Sequence, residues 1–163
     1  VMLAAKLKGV QVIKQYDRTL PTIGAYAAEL NQVWTNLIDN AIQAMAGLPA
    51  TELRALTITT SQVEDSIRVE IRDCGPGVPA EIRTRIFEPF FTTKAVGEGT
   101  GLGLDISYRI VVKKHHGDLR VQGQPGDTRF VVTLPVAAEP PATPLIGSAP
   151  LIEAAAPIEA AQP

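Results

Sequence analysis

The chain has 163 residues, enough for one domain with a substantial core, and 45% of them are hydrophobic. Its formal net charge of -2 excludes the basic excess expected of a nucleic-acid-binding surface; apart from "KKHH" at residues 113–116, basic residues are scattered. No apolar run approaches the ~20 residues that span a bilayer, and the single cysteine, Cys74, rules out an internal disulfide, so a cytoplasmic domain is expected.

In chain order, "VMLAAKLKG" at residues 1–9 reads as the end of an upstream helix or linker, with the character of the interior of a longer protein. Residues 10–17 alternate and predict a strand; 18–26 read as a loop. Residues 28–46 carry helical periodicity and meet a stop at Gly47 and Pro49. Residues 55–65 and 66–73 alternate around the polar pair Glu64 and Asp65, which predicts a hairpin. A glycine turn, a short helix over 80–86 and an irregular stretch to Thr100 follow, then a helix over 101–115. Residues 118–124 and 128–135 form a second predicted hairpin. Beyond Pro135 the chain turns Ala/Pro-rich and loses all basic residues, predicting a disordered tail over 136–163 after a domain over 10–135. Strands, helices and hairpins in this order predict an α/β two-layer sandwich, its mixed sheet covered on one face by helices.

Three stretches carry candidate chemistry. On the long helix, Leu30, Trp34, Leu37, Ala41 and Met45 define a core face, while Gln32, Asn36, Asn40 and Gln43 fall within an arc of about 80°. A row of carboxamides offers carbonyl oxygens to a hard cation and N–H donors to phosphates without a repelling charge; a polar face that happens to lack charge is the alternative. Asp73 ends a strand before Gly75, Pro76, Gly77 and Pro79. By itself that pattern reads first as an ordinary tight turn; the alternative is a carboxylate aimed at an exocyclic amine over a glycine-lined floor. Finally, "IFEPFFTTKAVGEGTGLGL" gathers three of the four phenylalanines, then Thr92, Thr93 and Lys94, then the glycines 97, 99, 101 and 103. An irregular stretch of this length is typically functional, and the helix that follows opens with unpaired N–H groups suited to an anion. It neither follows a strand, as a dinucleotide fingerprint does, nor ends in the Gly-Lys-Ser/Thr of a P-loop.

These blocks, in this order, resemble the GHKL ATPase superfamily, and within it the catalytic, ATP-binding domain of bacterial sensor histidine kinases of the nitrogen-regulator type. The likeness spans residues 9–135: an N box "NQVWTNLIDNAIQAM", a glycine box "DCGPGVP", an F box "IFEPFFTTK", a second glycine box "GEGTGLGLDIS" and the closing "PGDTRFVVTLP". The resemblance implies a mostly antiparallel Bergerat fold that binds ATP and Mg²⁺. It assigns Asn36 and Asn40 to Mg²⁺ and the phosphates, Asp73 to the adenine amine, and Gly75 and Gly77 to the base. It puts Thr93, Lys94, Gly99, Thr100, Gly101, Leu102 and Gly103 on the phosphate side, and Thr128 beside the adenine contact. Implied partners are a dimerising histidine phosphotransfer domain and a response-regulator receiver domain, with no nucleic acid and no membrane segment in this chain.

Three departures qualify the likeness. Gln43 stands where many members carry lysine, Cys74 replaces a common asparagine, and no phosphoacceptor motif is present. His115 and His116 follow the last helix, where histidine suits the negative end of the dipole, so neither is expected to accept a phosphoryl group. ATPases of the gyrase, chaperone or mismatch-repair type use a carboxylate at the position of Asn36, which an amide cannot replace as a base. An anti-sigma-factor-type serine kinase and a non-catalytic nucleotide-binding module are the remaining alternatives.

Overall fold

The computed structural model describes residues 9–49, 51–93 and 101–136. The expected upstream helix end over 1–8 and the tail after Val136 lie outside the described residues, as do Lys94, Gly99 and Thr100. Five strands form one sheet: β1 (Gln11–Tyr16), β2 (Ala55–Val63), β3 (Ser66–Asp73), β4 (Asp118–Gln124) and β5 (Asp127–Pro135), in the order β1-β2-β3-β5-β4. β1 runs parallel to β2 and the other pairings are antiparallel. Both predicted hairpins form, the first turning at Glu64 and Asp65, where Glu64 has φ 52°.

Helix α1 (Ala27–Ala46) buries Leu30, Val33, Trp34, Leu37, Ile38, Ala41, Ile42 and Met45 along one face. The alternate residues of the sheet meet it: Leu56 and Ile58, Ile67, Val69 and Ile71, Phe130, Val132 and Leu134, Leu119 and Val121. Each large side chain so buried is worth about 1.5–3 kcal/mol over exposure, which makes this single layer of contacts the main source of stability. The helices cover one sheet face, as the sequence predicts.

Two helical expectations shift in detail. Over 80–86 the chain makes two separate 3-10 turns, Ala80–Ile82 and Arg85–Phe87, rather than one helix; Pro89 closes the segment. The later helix begins at Gly103, not 101, because Gly101 has φ +65° and lies outside the helical region. This helix, α2 (Gly103–Tyr108), continues as a π-helical stretch, Arg109–Lys114. At its end His115 is 5% exposed and accepts the Tyr26 N–H at Nε2 (3.0 Å) while Nδ1 faces the Ile110 carbonyl (2.8 Å). The ring thus ties the start of α1 to the end of the π turn, with its proton on Nδ1. His116 is exposed beside it.

Candidate functional site

The last rung of the sheet aligns Leu56, Asp73, Thr128 and Gly123 across four strands. The period-two pattern that turns Ile67, Val69 and Ile71 inward turns Asp73 inward as well, so a carboxylate occupies a core position at 2% exposure. Burial pushes its pKa up to about 6. The Gly75 N–H, which donates to Oδ1 at 2.8 Å, and the nearby Thr128 hydroxyl favour the charged form, and Asp127 opposes it. Thr128 is 3% exposed, and its hydroxyl makes no regular hydrogen bond among the described residues. A buried acceptor and a buried hydroxyl therefore sit side by side with bonding capacity to offer a ligand.

The turn after Asp73 is built by contact rather than by flexibility. A Cβ on Gly75 would lie 2.7 Å from Asp73 Oδ1 and 3.0 Å from the Ala44 Cβ on α1, so only glycine lets the chain pass between them. Gly77 packs on the turn that joins β4 to β5, where a Cβ would sit 3.1 Å from Gln124 C and Pro125 N. The Gly126 N–H donates to the Gly75 carbonyl at 2.8 Å. Cys74 faces away from this floor, donating to the Leu53 carbonyl (3.2 Å) and accepting from the Ala55 N–H (3.3 Å), as a packing residue would.

The carboxamide row of α1 divides. Gln32 and Gln43 are exposed; Asn36 and Asn40 are half-buried. Asn36 Nδ2 donates to the Gly103 carbonyl (3.0 Å) and to Ser107 Oγ (3.3 Å), and Ser107 Oγ donates to the same carbonyl (2.8 Å). With its donor end committed to α2, the end Asn36 can offer to a cation is its carbonyl oxygen, the harder ligand. Asn36, Asn40 and Ala44 recur every four residues and so form one ridge. The ridge touches Gly103 at one end and Gly75 at the other, a rise of about 12 Å along the helix.

At the far end of that ridge, Gly101 locks against the chain that precedes the second glycine box. A Cβ there would fall 2.6 Å from the Phe90 carbonyl carbon, and Phe90 itself has φ 64°. Leu102 is half-buried, and the first turn of α2 carries Asp105, 5% exposed and paired with Arg109 at 2.7 Å. Thr93 is exposed at the edge of the described chain. Asp73, Gly75, Gly77 and Thr128 thus cluster at one end of the α1 ridge, and Asn36, Gly101, Leu102 and Gly103 at the other. Ser107, which fixes Asn36, closes the second glycine box without a role assigned to it there, and Arg83, which binds the glycine turn, lies outside every motif.

The Asn36 oxygen is a hard donor of the kind magnesium takes, and the Asp73–Thr128 pair suits a flat ring that carries an amine. Among the described residues no helix is long and apolar enough to cross a membrane. Residues 25–138 match the family model described as histidine kinase-, DNA gyrase B- and HSP90-like ATPase. The chain is 36% identical over 134 residues to the sensory histidine kinase/phosphatase NtrB of Rhodobacter capsulatus, covering 77% of this chain and 37% of that protein. It is 40% identical over 129 residues to the histidine-protein kinase AtoS of Escherichia coli, covering 78% and 20%. Among solved structures, the catalytic domain of the histidine kinase ThkA superposes with a TM-score of 0.71 at 28% identity, covering 83% of this chain and 87% of that one.

Proposed function

The chain belongs to the histidine kinase-, DNA gyrase B- and HSP90-like ATPase family, and we propose that it is the catalytic, ATP-binding domain of a two-component sensor histidine kinase. It spans only 37% and 20% of the two curated relatives named above, and the kinase activity of the whole protein is part of this proposal. One observation carries the reading: a single ridge of α1 joins a buried carboxylate–hydroxyl pair to the glycine-initiated start of α2. In this reading Asp73 accepts the adenine amine, Thr128 supports that contact, and Gly75 and Gly77 line the base. Asn36 and Asn40, joined by Gln43, hold the phosphates and would hold Mg²⁺, which when bound neutralises phosphate charge. Backbone N–H groups of Gly101, Leu102 and Gly103 meet the phosphates, and the resemblance assigns Thr93, Lys94, Gly99 and Thr100 to the same end of the nucleotide.

The γ-phosphoryl group then passes to a histidine on a separate dimerising domain: the bond to the ADP oxygen breaks as one to a ring nitrogen forms. A receiver domain is the next acceptor. Asn36 in place of a carboxylate favours this class over a hydrolase, because an amide cannot take a proton from water. The catalytic domain is assigned to residues 10–135.

Incubation with γ-labelled ATP separates the classes. The chain alone is expected to stay unlabelled, and a histidine-bearing helical hairpin added in trans is expected to take acid-labile label. Label on His115 or His116, or steady phosphate release without transfer, contradicts the reading.

A further inference from the structure

Arg83 lies outside every motif of the sequence, yet its guanidinium joins the two walls of the base end of the site. Nε donates to the Val78 carbonyl at 3.0 Å and Nη2 to the Gly123 carbonyl at 2.5 Å. Val78 belongs to the glycine turn that begins at Gly75. Gly123 is the outer member of the rung that holds Asp73 and Thr128, and its φ of +114° breaks the extended strand there. Two further contacts run between the same segments: the Gly126 N–H to the Gly75 carbonyl, and Gly77 against Gln124 and Pro125. Both are glycine contacts, close but without a side chain to hold them. Among the described residues Arg83 supplies a side chain that does so, and its planar fork can serve two carbonyls at fixed spacing.

We propose that Arg83 is a positioning residue for base recognition, setting the gap between the Gly75–Val78 turn and the Thr128 strand so that Asp73 and Thr128 address one adenine edge. The proposal rests on the nucleotide reading above. It touches neither the phosphates nor the transferred group, so its signature is selective for the base. Adenine and guanine nucleotides share their phosphates, and a general structural defect weakens both together; a misplaced base wall weakens adenine alone.

Calorimetric titration of Mg²⁺-ATP and Mg²⁺-GTP into the wild-type chain, Arg83→Met and Arg83→Lys tests this, with a thermal melt of each. Arg83→Met is expected to weaken ATP about ten-fold and leave GTP unchanged, collapsing the preference for adenine. Arg83→Lys, able to serve one carbonyl, is expected to fall between and stands in if the methionine variant does not fold. A wild-type ATP/GTP ratio in the variants overturns the proposal while the nucleotide reading stands. Failure of the wild-type chain to bind ATP overturns the nucleotide reading first, and the proposal with it.

Discussion

A carboxylate at 2% exposure costs the fold stability whenever it is charged, and Asp73 is charged at neutral pH. Its folded pKa of about 6 stands above the ordinary aspartate value of 3.8, so the folded chain binds the proton more tightly than the unfolded one. Stability is therefore lost as pH rises from near 4 through 6, on the order of 3 kcal/mol for a shift of this size. In the proposed reading adenine binding runs the other way, because the charged carboxylate is the stronger acceptor for an amine. ATP affinity is thus expected to rise through pH 6 while the melting temperature falls. Asp73→Asn should flatten this share of both profiles, while the terminal phosphate of ATP, which also titrates near 6, contributes to both proteins and cancels in the comparison. Profiles for the wild-type chain that match those of the variant would remove the opposition argued here.

At the scale of elements, α1 carries both the core and the site, and the two faces can be separated by mutation. Leu37 is fully buried on the sheet side, so Leu37→Ala is expected to cost about 2–5 kcal/mol in chemical denaturation. A loss under 1 kcal/mol would show that α1 is not the keystone of the layer. The two faces were also unequally legible. Leu30, Trp34, Leu37, Ala41 and Met45 announce their burial by spacing, and the alternation of β2 and β3 announces the hairpin. The carboxamide row announced chemistry but not its division, because periodicity cannot tell that Asn36 meets α2 while Gln32 meets solvent. The π turn at Arg109–Lys114 and the two 3-10 turns differ from the single helices the periodicity predicts, and the bond from Arg83 to Gly123 joins segments 40 residues apart. Such contacts leave no local pattern, and His115 shows the consequence. Its sequence neighbours predict an electrostatic role at a helix end, whereas its ring is a buried link between helices.

For the molecule as a whole, the sheet divides two kinds of surface. Its inner face is mostly apolar, broken by the Asp73–Thr128 rung and by Thr60, whose hydroxyl accepts the Asp17 N–H. Its outer face is a ladder of charge: Arg68, Glu70, Arg129, Asp127 and Arg72 pair in sequence. Asp127 is held below the usual carboxylate range by the hydrogen bond from Arg129 and then by Arg72. This ladder sets three guanidiniums against two carboxylates, and Glu70 lies in register beside Val131, 7% exposed on the same face. The organisation leaves the helix side as the face on which the proposed nucleotide would lie along α1, with its base over the last rung and its phosphates at α2. The central claim is that the buried carboxylate of this rung selects an adenine nucleotide. Calorimetric titration of Mg²⁺-ATP at pH 7.5 into the wild-type chain and into Asp73→Asn tests it most directly. The account predicts saturable binding to the wild-type chain and at least about ten-fold weaker binding to the variant, with the variant melting at the higher temperature. Equal affinity in the two proteins would contradict it.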